Sequence, residues 1–130
     1  MTPSALIRLA LADLRAVEAD PAYAVDMDVW HTPTDTTCHV CLAGAVMAQT
    51  HKSDPAKYVE PYEFPPAKRR ELLALNELRT GEINFALRHL DIEPPKALPV
   101  RIGVSSYEQN RLQFHADMES LAALLQEHGL

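Results

Sequence analysis

Residues 38–48 read Cys-His-Val-Cys-Leu-Ala-Gly-Ala-Val-Met-Ala, and after His39 no polar stripe runs through them. A helix that is apolar all round is stable only with neighbours on nearly every side. This one run therefore constrains the whole chain, because other elements must supply apolar faces to enclose it. It is too short to cross a bilayer, which takes roughly 20 apolar residues. Ala43, Gly44, Ala45 and Ala48 leave room for close neighbours. Thr32-Pro33-Thr34-Asp35-Thr36-Thr37 precedes the run as a turn rich in capping residues, so the helix is expected to open at Cys38 behind Thr37.

The enclosing elements are legible on both sides. Thr2-Pro3 supplies a capping hydroxyl and a proline at the first helical position. Leu6, Ile7, Ala10, Leu14 and Val17 follow at helical spacing, and Asp20-Pro21 stops them. After the run, residues 50–66 hold four prolines interleaved with Tyr58, Tyr62 and Phe64, the mixture of an extended loop lying on a surface. Leu72, Leu75 and Leu78 mark a helix from Pro66 to Arg79, and Ile83, Ala86, Leu87 and Leu90 mark another. Ser105 and Glu108 fit a capping box for a last helix carrying Leu112, His115, Met118, Leu121, Leu124 and Leu125.

Two segments read differently. Tyr23, Val25, Met27 and Val29 alternate with polar or small residues, the period of a half-buried strand. Val100, Ile102 and Val104 do the same, so the two are expected to pair as a two-stranded ribbon with Arg101 near Asp26 or Asp28. A chain of 130 residues suits one domain, residues 1–130. The expected fold is α+β and mainly helical, with about five helices around the buried central one.

Charge narrows the function. Residues 1–65 carry 4 basic and 9 acidic side chains, residues 66–130 carry 8 and 9, and the whole chain stands at −6. That balance speaks against nucleic acid or an anionic membrane as a partner, both of which need clustered positive charge. Arg8, Asp13 and Arg15 interrupt the first apolar stretch, so no secretory signal is read there, and the cytoplasm is the expected compartment. Leu72–Leu90 superficially resembles a helix-turn-helix, but its second helix offers mostly core residues. No glycine-rich phosphate loop, nucleophile elbow or His-Glu-x-x-His occurs, and the sequence calls for no cofactor.

Cys38 and Cys41 are the one chemically unusual feature. A cysteine in the first turn of a helix lies among unpaired N–H groups that favour the thiolate. Cys38 resembles in this respect the helix-opening cysteine of papain-like and transglutaminase-like enzymes, without the glycine-rich approach of the papain type. His31, His39, His51, His89 and His115 are available as a base, His31 foremost. Cys-x-x-Cys also resembles the thioredoxin redox pair over four residues. Cys38 and Cys41 with His31 and His51, or His39, lack the paired spacing of a zinc finger or ribbon, so no metal is expected.

The stretch from Trp30 to Ala48, above all Cys38 to Ala48, resembles segments of small uncharacterised phage and prophage proteins. That resemblance implies an accessory protein that binds a host or phage protein, inhibitors of host defence included. The expectation is a non-enzymatic protein-binding domain, with Asp26, Asp28, Tyr58 and Tyr62 as contact residues. The alternative is a cysteine-dependent acyl-transfer enzyme using Cys38 and His31.

Overall fold

The computed structural model describes residues 1–130. In chain order it contains α1 (Pro3–Glu18), β1 (Tyr23–Val25), β2 (His31–Pro33), β3 (Cys38–Val40), α2 (Leu42–Gln49), a 3-10 turn (Pro61–Glu63), α3 (Pro66–Leu78), α4 (Ile83–His89) and α5 (Arg111–Glu127). The fold is α+β and mainly helical, with five α-helices and one small sheet, as the sequence led us to expect.

Every residue from Leu42 to Ala48 is buried. Helices α1 and α3 pack against α2, α5 covers the far side of α1, and α4 covers α3. The first helix forms as its sequence dictates: the Thr2 hydroxyl accepts from the Ala5 N–H at 3.2 Å, and Leu6, Ile7, Ala10, Leu11, Leu14 and Val17 line one buried face. Gly44 is required by position. A Cβ there would overlap the carbonyl oxygen of Trp30, so α2 lies directly against the chain entering β2.

The sheet differs from the expected ribbon. Its order is β1-β3-β2, with β1 parallel and β2 antiparallel to β3. Val100–Val104 is not its partner. Instead, the Val100 carbonyl accepts the N–H groups of Ile83 and Asn84 at 2.9 and 3.2 Å, donors that the first turn of α4 leaves free. The Ile102 N–H donates to the Gly81 carbonyl at 3.0 Å, and Arg101 pairs with Glu82, not with Asp26 or Asp28. The first strand also ends early, because Asp26 turns the chain: its carboxylate accepts the Asp28 N–H at 2.9 Å. Alternation through Val29 is thus coincidental, and only Met27 of the later pair is fully buried.

Two helix starts move as well. Thr34–Thr37 closes the hairpin between β2 and β3 through Thr34 N–H to Thr37 carbonyl at 2.7 Å, which places Cys38 in β3. The cap of α2 is Cys41, whose Sγ accepts the Gly44 N–H at 3.4 Å. The last helix starts at Arg111 behind Asn110, which accepts the Gln113 N–H at 3.1 Å. Ser105 and Glu108 belong to the preceding turn: the Ser105 N–H donates to Asp117 and Glu108 accepts from the Met27 N–H. Leu112 consequently faces solvent.

Gly44→Ala should destabilise the fold by about 3 kcal/mol or more, since the added carbon meets backbone and not a movable side chain. Gly103→Ala, with nothing within 4 Å of the new carbon, should change stability by less than about 1 kcal/mol. Urea denaturation of the two variants measures the contrast.

Candidate functional site

The sheet brings Cys38 and His31 together. Cys38 Sγ lies 3.6 Å from His31 Nδ1 and 3.8 Å from Nε2, and the two residues are 1% and 0% exposed. Nearly equal distances put the sulfur in line with neither ring nitrogen. Nδ1 is 2.9 Å from the Lys57 carbonyl, an acceptor only, so Nδ1 carries the proton and donates it there. Cys38 lies in a strand and not in the first turn of a helix, and burial pushes its thiol up from 9.0. A cysteine nucleophile needs the opposite shift and a path for substrate. Cys41 caps the helix, the place expected for Thr37, yet burial raises its thiol too, against smaller opposing contributions from the Gly44 and Ala43 N–H groups. No three of the His, Cys, Asp and Glu side chains gather as metal ligands. His39 turns to Asp26 at 3.9 Å, and His51 packs its ring on Phe64 at 5.1 Å.

Asp26 and Asp28 do not share a strand face. Asp26 forms the turn after β1, and Asp28 lies exposed on the rim of a cleft of about 330 Å³ with Arg79, Ser105 and Glu108. The tyrosines form a better-defined feature. Tyr58 is 53% and Tyr62 65% exposed, on either side of Glu60. The Tyr58 hydroxyl donates to Glu60 Oε1 at 2.8 Å, and hydrogen bonding to Glu60 is the main cause that raises both phenols above 10.0.

The backbone beneath these rings is held from three directions. The Val59 N–H donates to the His31 carbonyl at 3.0 Å, extending the sheet beyond β2. The Glu60 N–H donates to Glu63 Oε2 at 2.7 Å, and Pro61 is buried. From α3, Arg69 Nη2 donates to the carbonyls of Tyr62 and Phe64 at 3.1 and 3.2 Å. Val25, Val40, His31 and Val59 thus form one row across the sheet. Asp26 and Glu60 step out of that row at the same end, about 14 Å apart at ordinary strand spacing.

A further cluster lies where α1, α5 and the segment before α5 meet. Glu18 Oε2 accepts from the Tyr107 hydroxyl at 2.5 Å and from His115 Nε2 at 2.9 Å. Tyr107 borders the 330 Å³ cleft, while Glu18 and His115 border a second of about 380 Å³ with Arg15 and Arg111. Glu18 ends α1, where the helix dipole disfavours an anion, and the two donors offset that placement. Burial is the first cause, and the bond to Glu18 the second, that push the Tyr107 phenol well above 10.0. Sequence reasoning named His115 on the inward stripe of α5 but missed this cluster. A histidine on an apolar stripe signals a buried polar partner without saying which.

No family model, curated protein or solved structure matches the chain.

Tyr107→Phe should cost about 1.5 kcal/mol near neutral pH, the worth of a hydrogen bond to a charged acceptor. A phenol pKa raised by folding stabilises fully below the unfolded value of about 10, and that contribution is lost as pH rises through the folded value. The wild type should therefore lose stability faster than Tyr107→Phe above pH 10, measured by denaturation between pH 8 and 11. Cys38 and Cys41 should be alkylated by iodoacetamide at pH 7.5 at least 100-fold more slowly (an order-of-magnitude expectation for buried, high-pKa thiols) than in denaturant. Rapid labelling of Cys38 in the native protein would instead support acyl transfer.

Proposed function

We infer that the chain is a small protein-binding domain and that its contact surface lies at the end of the sheet marked by Tyr58, Glu60 and Tyr62 on one side and Asp26 and Asp28 on the other. The observation that carries this reading is the pair of tyrosines, largely exposed on backbone that hydrogen bonds hold from three directions. Rigid, exposed aromatic residues with a polar handle characterise recognition surfaces, because they gain buried area with little loss of side-chain freedom. Acidic side chains around them suit a partner with a basic patch.

No helix is long and apolar enough to cross a membrane. The clefts near Asp28 and Glu18 are open and bordered by charged groups, unlike the enclosed apolar pockets that hold most small ligands. The resemblance of residues 30–48 to phage and prophage proteins supports a cytoplasmic accessory role, acting on a host or phage protein without chemistry of its own.

The protein immobilised through its C-terminus should capture a stoichiometric partner from bacterial lysate. Tyr58→Ser combined with Tyr62→Ser should reduce capture about tenfold or more, as loss of interface anchors does. Charge reversal at Asp26 and Asp28 should weaken it further at low salt. Circular dichroism confirms that the variants are folded. Failure to capture any stoichiometric partner, or capture indifferent to both pairs of changes, overturns the reading.

A further inference from the structure

Of the lysines and arginines, only Arg69 and Arg79 are half-buried, and the others are exposed. Arg69 gives its Nη2 to two carbonyls of the turn before α3. Arg79, at the end of α3, donates from Nε to the Asn76 side-chain oxygen at 3.0 Å, and neither of its Nη groups donates to the protein. No carboxylate pairs with it. Drawing a charge partly out of water without a partner is costly, so this guanidinium has more to gain from an anion than the exposed cations do.

Arg79 borders the cleft of about 330 Å³ formed by the end of α3, the turn after β1 and the segment before α5, and Asp28 borders the same cleft. The Asp28 N–H is held by the Asp26 carboxylate at 2.9 Å, while its own carboxylate has neither a protein donor nor a cation. Glu108, the other acid there, accepts from the Ser106 hydroxyl at 3.1 Å and from the Met27 N–H at 3.4 Å. Two opposite charges thus line one cleft without pairing with each other. Met27, Val104 and Phe114 add apolar wall.

We propose that this cleft binds a free α-amino acid, with its carboxylate on the Arg79 fork and its ammonium on Asp28. The edge of a guanidinium matches the two oxygens of a carboxylate, and the bond to Asn76 fixes its plane before binding. An anion without an ammonium meets repulsion from Asp28, and an amine without a carboxylate meets repulsion from Arg79. The ligand that satisfies both carries both charges close together, as the two groups on an α-carbon do. Affinity in so open a cleft rests on a few placed polar contacts and is therefore modest. The site is separate from the tyrosine-bearing turn, and binding there neither requires nor excludes a protein partner.

The test titrates the full chain, labelled with ¹⁵N, at pH 7 with three probes of similar size. L-Alanine carries both charges, propionate only the carboxylate and ethylamine only the ammonium. L-Alanine should shift the amide signals of Asp28, Thr80 and residues 104–108 with a dissociation constant in the millimolar range. Propionate and ethylamine should each bind about fivefold more weakly, as loss of one charge pair implies. Asp28→Asn, at an exposed position, should bring L-alanine and propionate to the same affinity, because the group that tells them apart is gone. Arg79→Gln should remove binding of both. Arg79→Lys, which keeps the charge without the fork, should weaken L-alanine about threefold or more.

Circular dichroism confirms that the variants are folded, and if Arg79→Gln is not, the three probes and Asp28→Asn decide. Equal affinity of the wild type for L-alanine and propionate, no saturable shift at the cleft in the millimolar range, or a preference for L-alanine that survives Asp28→Asn overturns the proposal.

Discussion

The desolvation of α2 is the constraint on which the remainder of the structure depends. Seven consecutive residues, Leu42 to Ala48, are removed from water, and full burial of Leu42, Val46 or Met47 contributes roughly 1.5–3 kcal/mol each. That stabilisation exists only if neighbours close around the helix on every side. Helices α1 and α3 do so with leucine-rich faces, and the sheet closes the N-terminal end, where Gly44 lets the Trp30 carbonyl approach. His31 is buried as a consequence, since it begins the strand that Trp30 enters and Val59 then covers its other edge.

Close packing of this kind favours a partner for each interior polar group, and only Arg69 Nε and His115 Nδ1 are buried side-chain nitrogen or oxygen atoms without one. His31 finds the Lys57 carbonyl, Cys41 caps the helix it precedes, and the free amides of α4 find Val100. Glu18 accepts from both Tyr107 and His115 between α1 and α5, at a place with a cleft on either side, while the buried Nδ1 of His115 has no partner. The cysteine and histidine that look reactive in the sequence are thus drawn into a buried structural contact. Tyr58, Tyr62 and the carboxylate of Asp28 are left facing solvent.

The same enclosure braces the turn that carries the exposed tyrosines. The segment after α2 must cross the sheet edge to reach α3, and its prolines keep it extended while Val59 pairs with His31. The tight turn at Pro61–Glu63 then leaves Tyr58 and Tyr62 pointing outward around Glu60. Arg69 serves the backbone of this turn and does not neutralise its carboxylates.

Much of this was legible in the residues. The amphipathic stripes of α1, α3 and α4, the all-round burial of α2 and the exposure of Tyr58 and Tyr62 follow from spacing and local composition. The pairing of strands did not follow, because alternation says which face is apolar and backbone hydrogen bonding accepts any strand of suitable position. Thr37 and Ser105 look like helix caps as much as the residues that do cap, and a hydroxyl serves a hairpin or a turn equally well. The Glu18–Tyr107–His115 cluster joins residues 89 and 97 positions apart, a distance at which no local pattern operates. The sequence by itself determined what must be buried, since that depends on each side chain's own affinity for water. Only the tertiary structure decided which polar groups meet inside and which remain exposed, because those choices depend on how separate elements come to rest against one another.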